Sequence, residues 1–97
     1  METRFYILLS LKTPEGFVVY GQYFLGDDQA AVDVLFDSLQ GSRTMDDASL
    51  LHIDLMETVN QLPVKVKTKC CRLDELTANV KLIVKDIFRR QNLKELN

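Results

Sequence analysis

Tryptophan is absent from this 97-residue chain, histidine occurs once, and proline and cysteine occur twice each. These shortages close several classes of function. The two cysteines, Cys70 and Cys71, are neighbours in sequence. Neighbours on a strand point to opposite faces, so a disulfide framework is excluded and two free thiols in a reducing compartment are expected. Zinc needs four protein ligands, or three and a water. His52 and Cys71 can meet on one face but Cys70 cannot join them, so no metal and no cofactor is expected. Asp27-Asp28 and Asp46-Asp47 lack the glycine-containing twelve-residue pattern of a calcium loop. The four glycines do not form a phosphate-binding loop. No apolar run approaches the ~18 residues of a membrane span. The opening "METRFYILLSLKTPEG" has an apolar part too short for a signal peptide and alternates like a strand, so a cytoplasmic protein is expected.

What is present suits one ordinary globular domain, 1–97. Apolar residues make up 46% and charged residues 27%, close to the average for soluble domains. A chain of this size buries about 60–65% of the surface its unfolded form exposes, enough for a core without staples. Net charge is −2 but unevenly spread. Residues 1–57 carry three basic and ten acidic side chains, and residues 58–97 carry nine basic and four acidic. Asymmetry of this kind suits a polyanion surface, two copies meeting opposite sign to opposite sign, or mixing of the two halves in the fold.

The periodicity predicts six elements. Residues 4–12 read as a strand, "TPEG" as a three-residue hairpin loop, and 17–26 as the return strand. Residues 27–41 read as a helix capped by Asp27 or Asp28, with Val32, Leu35, Phe36 and Leu39 on one stripe and Gly41 at its end. After a polar loop, "LLHIDLMET" alternates as a third strand and "VKVKTKCC" as a fourth. Residues 74–91 form the longest helix, with Leu76, Val80, Ile83, Val84 and Ile87 on one face. The segment 92–97 reads as a frayed tail. The order ββα–ββα implies an α+β two-layer sandwich: a four-stranded antiparallel sheet with both helices on one face.

Three functional readings follow. The "TPEG" loop implies a register in which Tyr6, Leu8, Val18, Tyr20 and Phe24 share the outer face of the first hairpin. That face is greasy where it should be wet. Contiguous apolar patches mark partners, and a second copy is the simplest one. The leading expectation is therefore a non-enzymatic interaction module that forms a homodimer or small homo-oligomer, or meets another protein. The second reading is a nucleic-acid or polyanion binder using Lys65, Lys67, Lys69, Lys81, Lys85 and Arg89, although no recognition motif accompanies them. The third is a thiol enzyme. With the second hairpin turning at Asn60-Gln61, regular pairing puts Cys71, His52 and Asp54 on the outer face with the three strand lysines, and Cys70 in the core. Asp54 then lies opposite Lys67. A thiol, a base and an orienting carboxylate are the types a nucleophilic site needs. An open sheet face, however, offers no oxyanion hole.

Overall fold

The computed structural model describes residues 4–42 and 50–90. They form β1 (Phe5–Thr13), β2 (Gly16–Gly26), α1 (Gln29–Ser38), β3 (Leu51–Val59), β4 (Leu62–Cys71) and α2 (Leu73–Arg90). This is the ββα–ββα order the periodicity predicts. The strands make one antiparallel sheet in the order β2-β1-β3-β4. The first strand of each hairpin is central, and the second strands are the two edges. Most of the polar loop, the acidic pair Asp46-Asp47 and the segment 92–97 lie outside the described residues.

Local chemistry sets the boundaries. Asp28 caps α1 by accepting a hydrogen bond from the Ala31 amide at 3.1 Å, which satisfies one of the helix's unpaired first amides. Asp74 and Glu75 occupy the first turn of α2, where negative charge suits the helix dipole. Glu75 reaches back to accept from the Arg72 amide at 2.8 Å. Asn60 and Gln61 both adopt positive φ, 51° and 68°. Two successive left-handed residues make the tight turn whose twist matches a hairpin.

Both helices pack on one face of the sheet. Phe5, Ile7 and Leu9 of β1 and Ile53 and Leu55 of β3 meet Val32, Leu35, Phe36, Leu39 and Ile83 in a buried cluster. Full burial of a side chain such as Phe36 or Ile53 contributes ~1.5–3 kcal/mol. Leu76, Val80 and Ile87 of α2 pack against its margin. Lys67 of β4 reaches Asp33 and Asp37 of α1, which places α1 over the β4 side. α2 lies against β2.

The registers depart from regular pairing at three places, and each departure moves side chains between faces. In the first hairpin the loop is two residues, Pro14-Glu15, because Thr13 pairs directly with Gly16. The Thr13 hydroxyl fastens this tight loop by donating to the Gly16 carbonyl at 2.7 Å. The predicted partners hold from Tyr6 to Leu9, which face Phe24 to Gly21. Beyond Leu9 the register slips by one, so Ser10 faces Val19, Leu11 faces Val18 and Lys12 faces Phe17. Tyr20 is the extra residue, and Leu25 is a second one between Phe5 and Tyr6. Gly21 sits beside the first bulge, and a Cβ there would lie 3.2 Å from Leu9 Cδ1. In the second hairpin the predicted partners hold from the turn to Met56↔Lys65, then Val66 is skipped and Leu55 pairs with Lys67.

A bulge inserts one residue, and one residue is the full period difference between the two faces of a strand. After Val66, Lys67, Lys69 and Cys71 therefore join Leu55, Ile53 and Leu51 on the helix side, while Thr68 and Cys70 join Asp54 and His52 on the outer side. The regular register assigns these five residues to the opposite faces.

Candidate functional site

The outer face of the sheet is built from alternate residues of all four strands. Tyr6, Leu8 and Ser10 of β1 pair with Met56, Asp54 and His52 of β3 across the centre. Phe24 and Val19 flank them on β2, and Lys65, Thr68 and Cys70 on β4. Together Leu8, Ser10, Phe17, Val19, His52, Asp54, Met56 and Lys65 line a shallow cleft of about 360 Å³. Its floor is unusually well covered for an open sheet face: Ser10, His52, Asp54 and Met56 are all less than a tenth exposed.

The floor is held by polar contacts among its own side chains. The Thr68 hydroxyl donates to the Asp54 carboxylate. Lys65 Nζ stands 3.6 Å from the other Asp54 oxygen. Asp54 thus pairs diagonally with Lys65, whereas regular pairing puts Lys67 opposite it. The His52 ring packs edge-on against Phe17, with centroids 4.8 Å apart. Cys70 Sγ lies 3.7 Å from His52 Nδ1.

The rim is apolar on the β2 side. Phe17, Val19 and Phe24 are 58%, 53% and 54% exposed. The Phe24 ring is tilted against Tyr6, with centroids 6.1 Å apart. Of the five residues predicted to make the greasy patch, Tyr6, Leu8 and Phe24 stand together on this face. Val18 does not, because it pairs with Leu11, a residue of the helix side. Tyr20 also departs, being the bulge residue. Burial first, then the neighbouring Cys71 and Tyr23, raise its phenol above the usual tyrosine range, and both neighbours belong to the helix side. Phe17 and Val19 take their places. The signal for this lay in "TPEG": closed as a two-residue loop, it puts Phe17 and Val19 outward near the hairpin tip.

The thiol-enzyme constellation is separated by the same mechanism. Cys71 lies in the helix-side core, with its neighbours in the buried cluster. His52 and Asp54 lie on the other side of the sheet. Burial is the main cause that pushes the Cys71 thiol up to about 11, with Glu75 adding to it and a hydrogen bond from Asn79 opposing it. A neutral buried thiol is a poor nucleophile. The expected result is that Cys71 in the folded protein reacts with iodoacetamide at pH 8 well below the rate of an unfolded control, followed by peptide mass spectrometry. A faster rate than the control would restore a reactive thiol. The linkage has a defined sign. The unfolded thiol ionises near 9 and the folded one near 11, so stability falls as pH rises across that window.

The six basic residues divide among surfaces. Lys65 is on the outer face. Lys67 is paired with Asp33 and Asp37 at 3.7 and 3.5 Å. Lys69 is buried, and its Nζ donates to the carbonyls of Phe36 at 2.7 Å and Leu39 at 2.8 Å. It is a structural cap on the end of α1, not part of a wet strip. Lys81, Lys85 and Arg89 lie on exposed positions of α2. Lys85 and Arg89, with Asp86, border an open groove of about 460 Å³ between the helices. No single face gathers all six.

Among the described residues no three His, Cys, Asp or Glu side chains are grouped to hold a metal ion. No described helix is long and apolar enough to cross a membrane. No protein-family model matches this chain, and no curated protein or solved structure matches it significantly.

Proposed function

We propose that the chain is a non-enzymatic interaction module that self-associates through the outer side of its first hairpin. The observation that carries this reading is the row of Phe17, Val19 and Phe24, each more than half exposed beside Tyr6 and Leu8. Single exposed apolar residues need no explanation, but a contiguous aromatic patch on one edge of a cleft favours a partner surface. Aromatic side chains are also enriched in the buried centres of interfaces. Two free thiols suit a reducing compartment such as the cytoplasm.

The test is solution mass by light scattering across a dilution series, with Phe24→Lys beside the wild type. The wild type is expected to be a dimer and the variant a folded monomer, because a lysine at this position remains solvated only when the patch is open. A wild type that is monomeric at every concentration refutes the reading.

A further inference from the structure

The two edges of the sheet are guarded very differently. An edge strand presents a row of unpaired backbone amides and carbonyls, and proteins protect such rows with lysine, proline, bulges or covering segments. β4 uses all four. It carries Pro63, Lys65 and Lys67, and a bulge at Val66. Ser42 covers its outer side at Cys70, exchanging two backbone hydrogen bonds of 2.8 Å. Gly41 permits that approach, since a Cβ there would stand 2.7 Å from the Cys70 carbonyl oxygen.

β2 uses only bulges, at Tyr20 and Leu25. Its eleven residues, GFVVYGQYFLG, contain no charge and no proline. Between the two bulges the run Gly21–Phe24 pairs regularly with β1. Among the described residues no strand pairs with the outer side of β2. Phe17, Val18, Val19, Tyr20 and Phe24 are exposed along it.

We infer that β2 is the joining edge for a second copy of this chain: two β2 strands pair antiparallel about a two-fold axis, and two four-stranded sheets become one of eight. This rests on the self-association reading and specifies how the copies meet. Three edge pairings exist for identical sheets. β4 with β4 sets lysines opposite lysines. β2 with β4 is head-to-tail, grows without closing, and meets Pro63 and the Ser42 cover. β2 with β2 opposes no charges and closes after two copies. It also brings Phe24 of the two copies onto one continuous outer face, so the patch is buried sideways and the cleft floor stays open.

The test is residue-resolved amide hydrogen exchange at protein concentrations above and below the dimer midpoint. Alternate amides within 21–25 are expected to slow on the order of tenfold or more in the dimer, as new strand hydrogen bonds form. Gln22→Lys, an exposed edge position, is expected to weaken dimerisation about fivefold by setting like charges near one another, with the monomer's exchange pattern elsewhere unchanged. A dimer whose 21–25 amides exchange as fast as the monomer's overturns the edge pairing but leaves self-association standing, with the copies stacked face to face. Open-ended growth also overturns it. A monomer at all concentrations overturns both readings.

Discussion

Replacing Asn79 with leucine is expected to cost ~2–4 kcal/mol, since a bulkier side chain enters a fully buried site and two part-buried backbone groups of Gln40 lose their partner at once. Asn79 has no solvent exposure. Its Oδ1 accepts from the Gln40 amide and its Nδ2 donates to the Gln40 carbonyl, each at 2.7 Å. The side-chain amide thus imitates a strand partner for the chain just after α1. Leucine has the same branched outline but is bulkier and has no polar atoms, so overpacking adds to the lost hydrogen bonds. A domain of this size moves ~4–8 °C in Tm per kcal/mol, so a fall of roughly 10–30 °C is expected by calorimetry. The same change removes the hydrogen bond from Asn79 that holds the Cys71 thiol down, so the Cys71 ionisation should move further up. A variant as stable as the wild type would mean that the Gln40 backbone finds water instead.

The element order and helix faces could be read from the sequence because both depend on short-range periodicity. Val32, Leu35 and Phe36 repeat at helical spacing, and all three are buried in α1. The turn at Asn60-Gln61 was legible for the same reason. Register far from a turn was not. "VKVKTKCC" alternates without a break, yet Val66 takes an extra place and the second half of the strand turns over. Nothing in local propensity marks Val66. The reason is tertiary: α1 ends above β4, and its last carbonyls need a donor there. In the first hairpin the clue was present in "TPEG", but a loop of two residues and one of three differ by a full change of face. The candidate surface was therefore legible as a region, with Tyr6, Leu8 and Phe24 in place, while Val18 and Tyr20 were exchanged for Phe17 and Val19. Strand order depends on how hairpins meet and has no local signal, so the contrast between the guarded β4 edge and the bare β2 edge appears only in the fold.

Lys69→Met gives the second large effect. α1 has no basic residue in its last turn, and the negative end of its dipole falls inside the protein. The Lys69 ammonium occupies that end. It donates to Phe36 and Leu39, lies 3.4 Å from the Asp37 carbonyl, and stands 5.2 Å from the Phe36 ring centroid. Its exposure is 5%. Two opposing effects decide the outcome. Removing a buried cation relieves its desolvation cost, which favours methionine. Losing charge-assisted hydrogen bonds, worth ~1.5–3 kcal/mol each, leaves carbonyls without donors and wins. A net loss of ~2 kcal/mol is expected in urea unfolding at unchanged slope. Lys81→Met, on an exposed position of α2, is the matched control and should stay within ~0.5 kcal/mol. Lys69 and Asn79 hold adjacent stretches of one chain end, Leu39 and Gln40. Their double variant should accordingly lose less than the sum of the two single losses. If Lys69→Met instead behaves like Lys81→Met, the relief of desolvation matches the lost hydrogen bonds and the lysine adds no net stability as a cap.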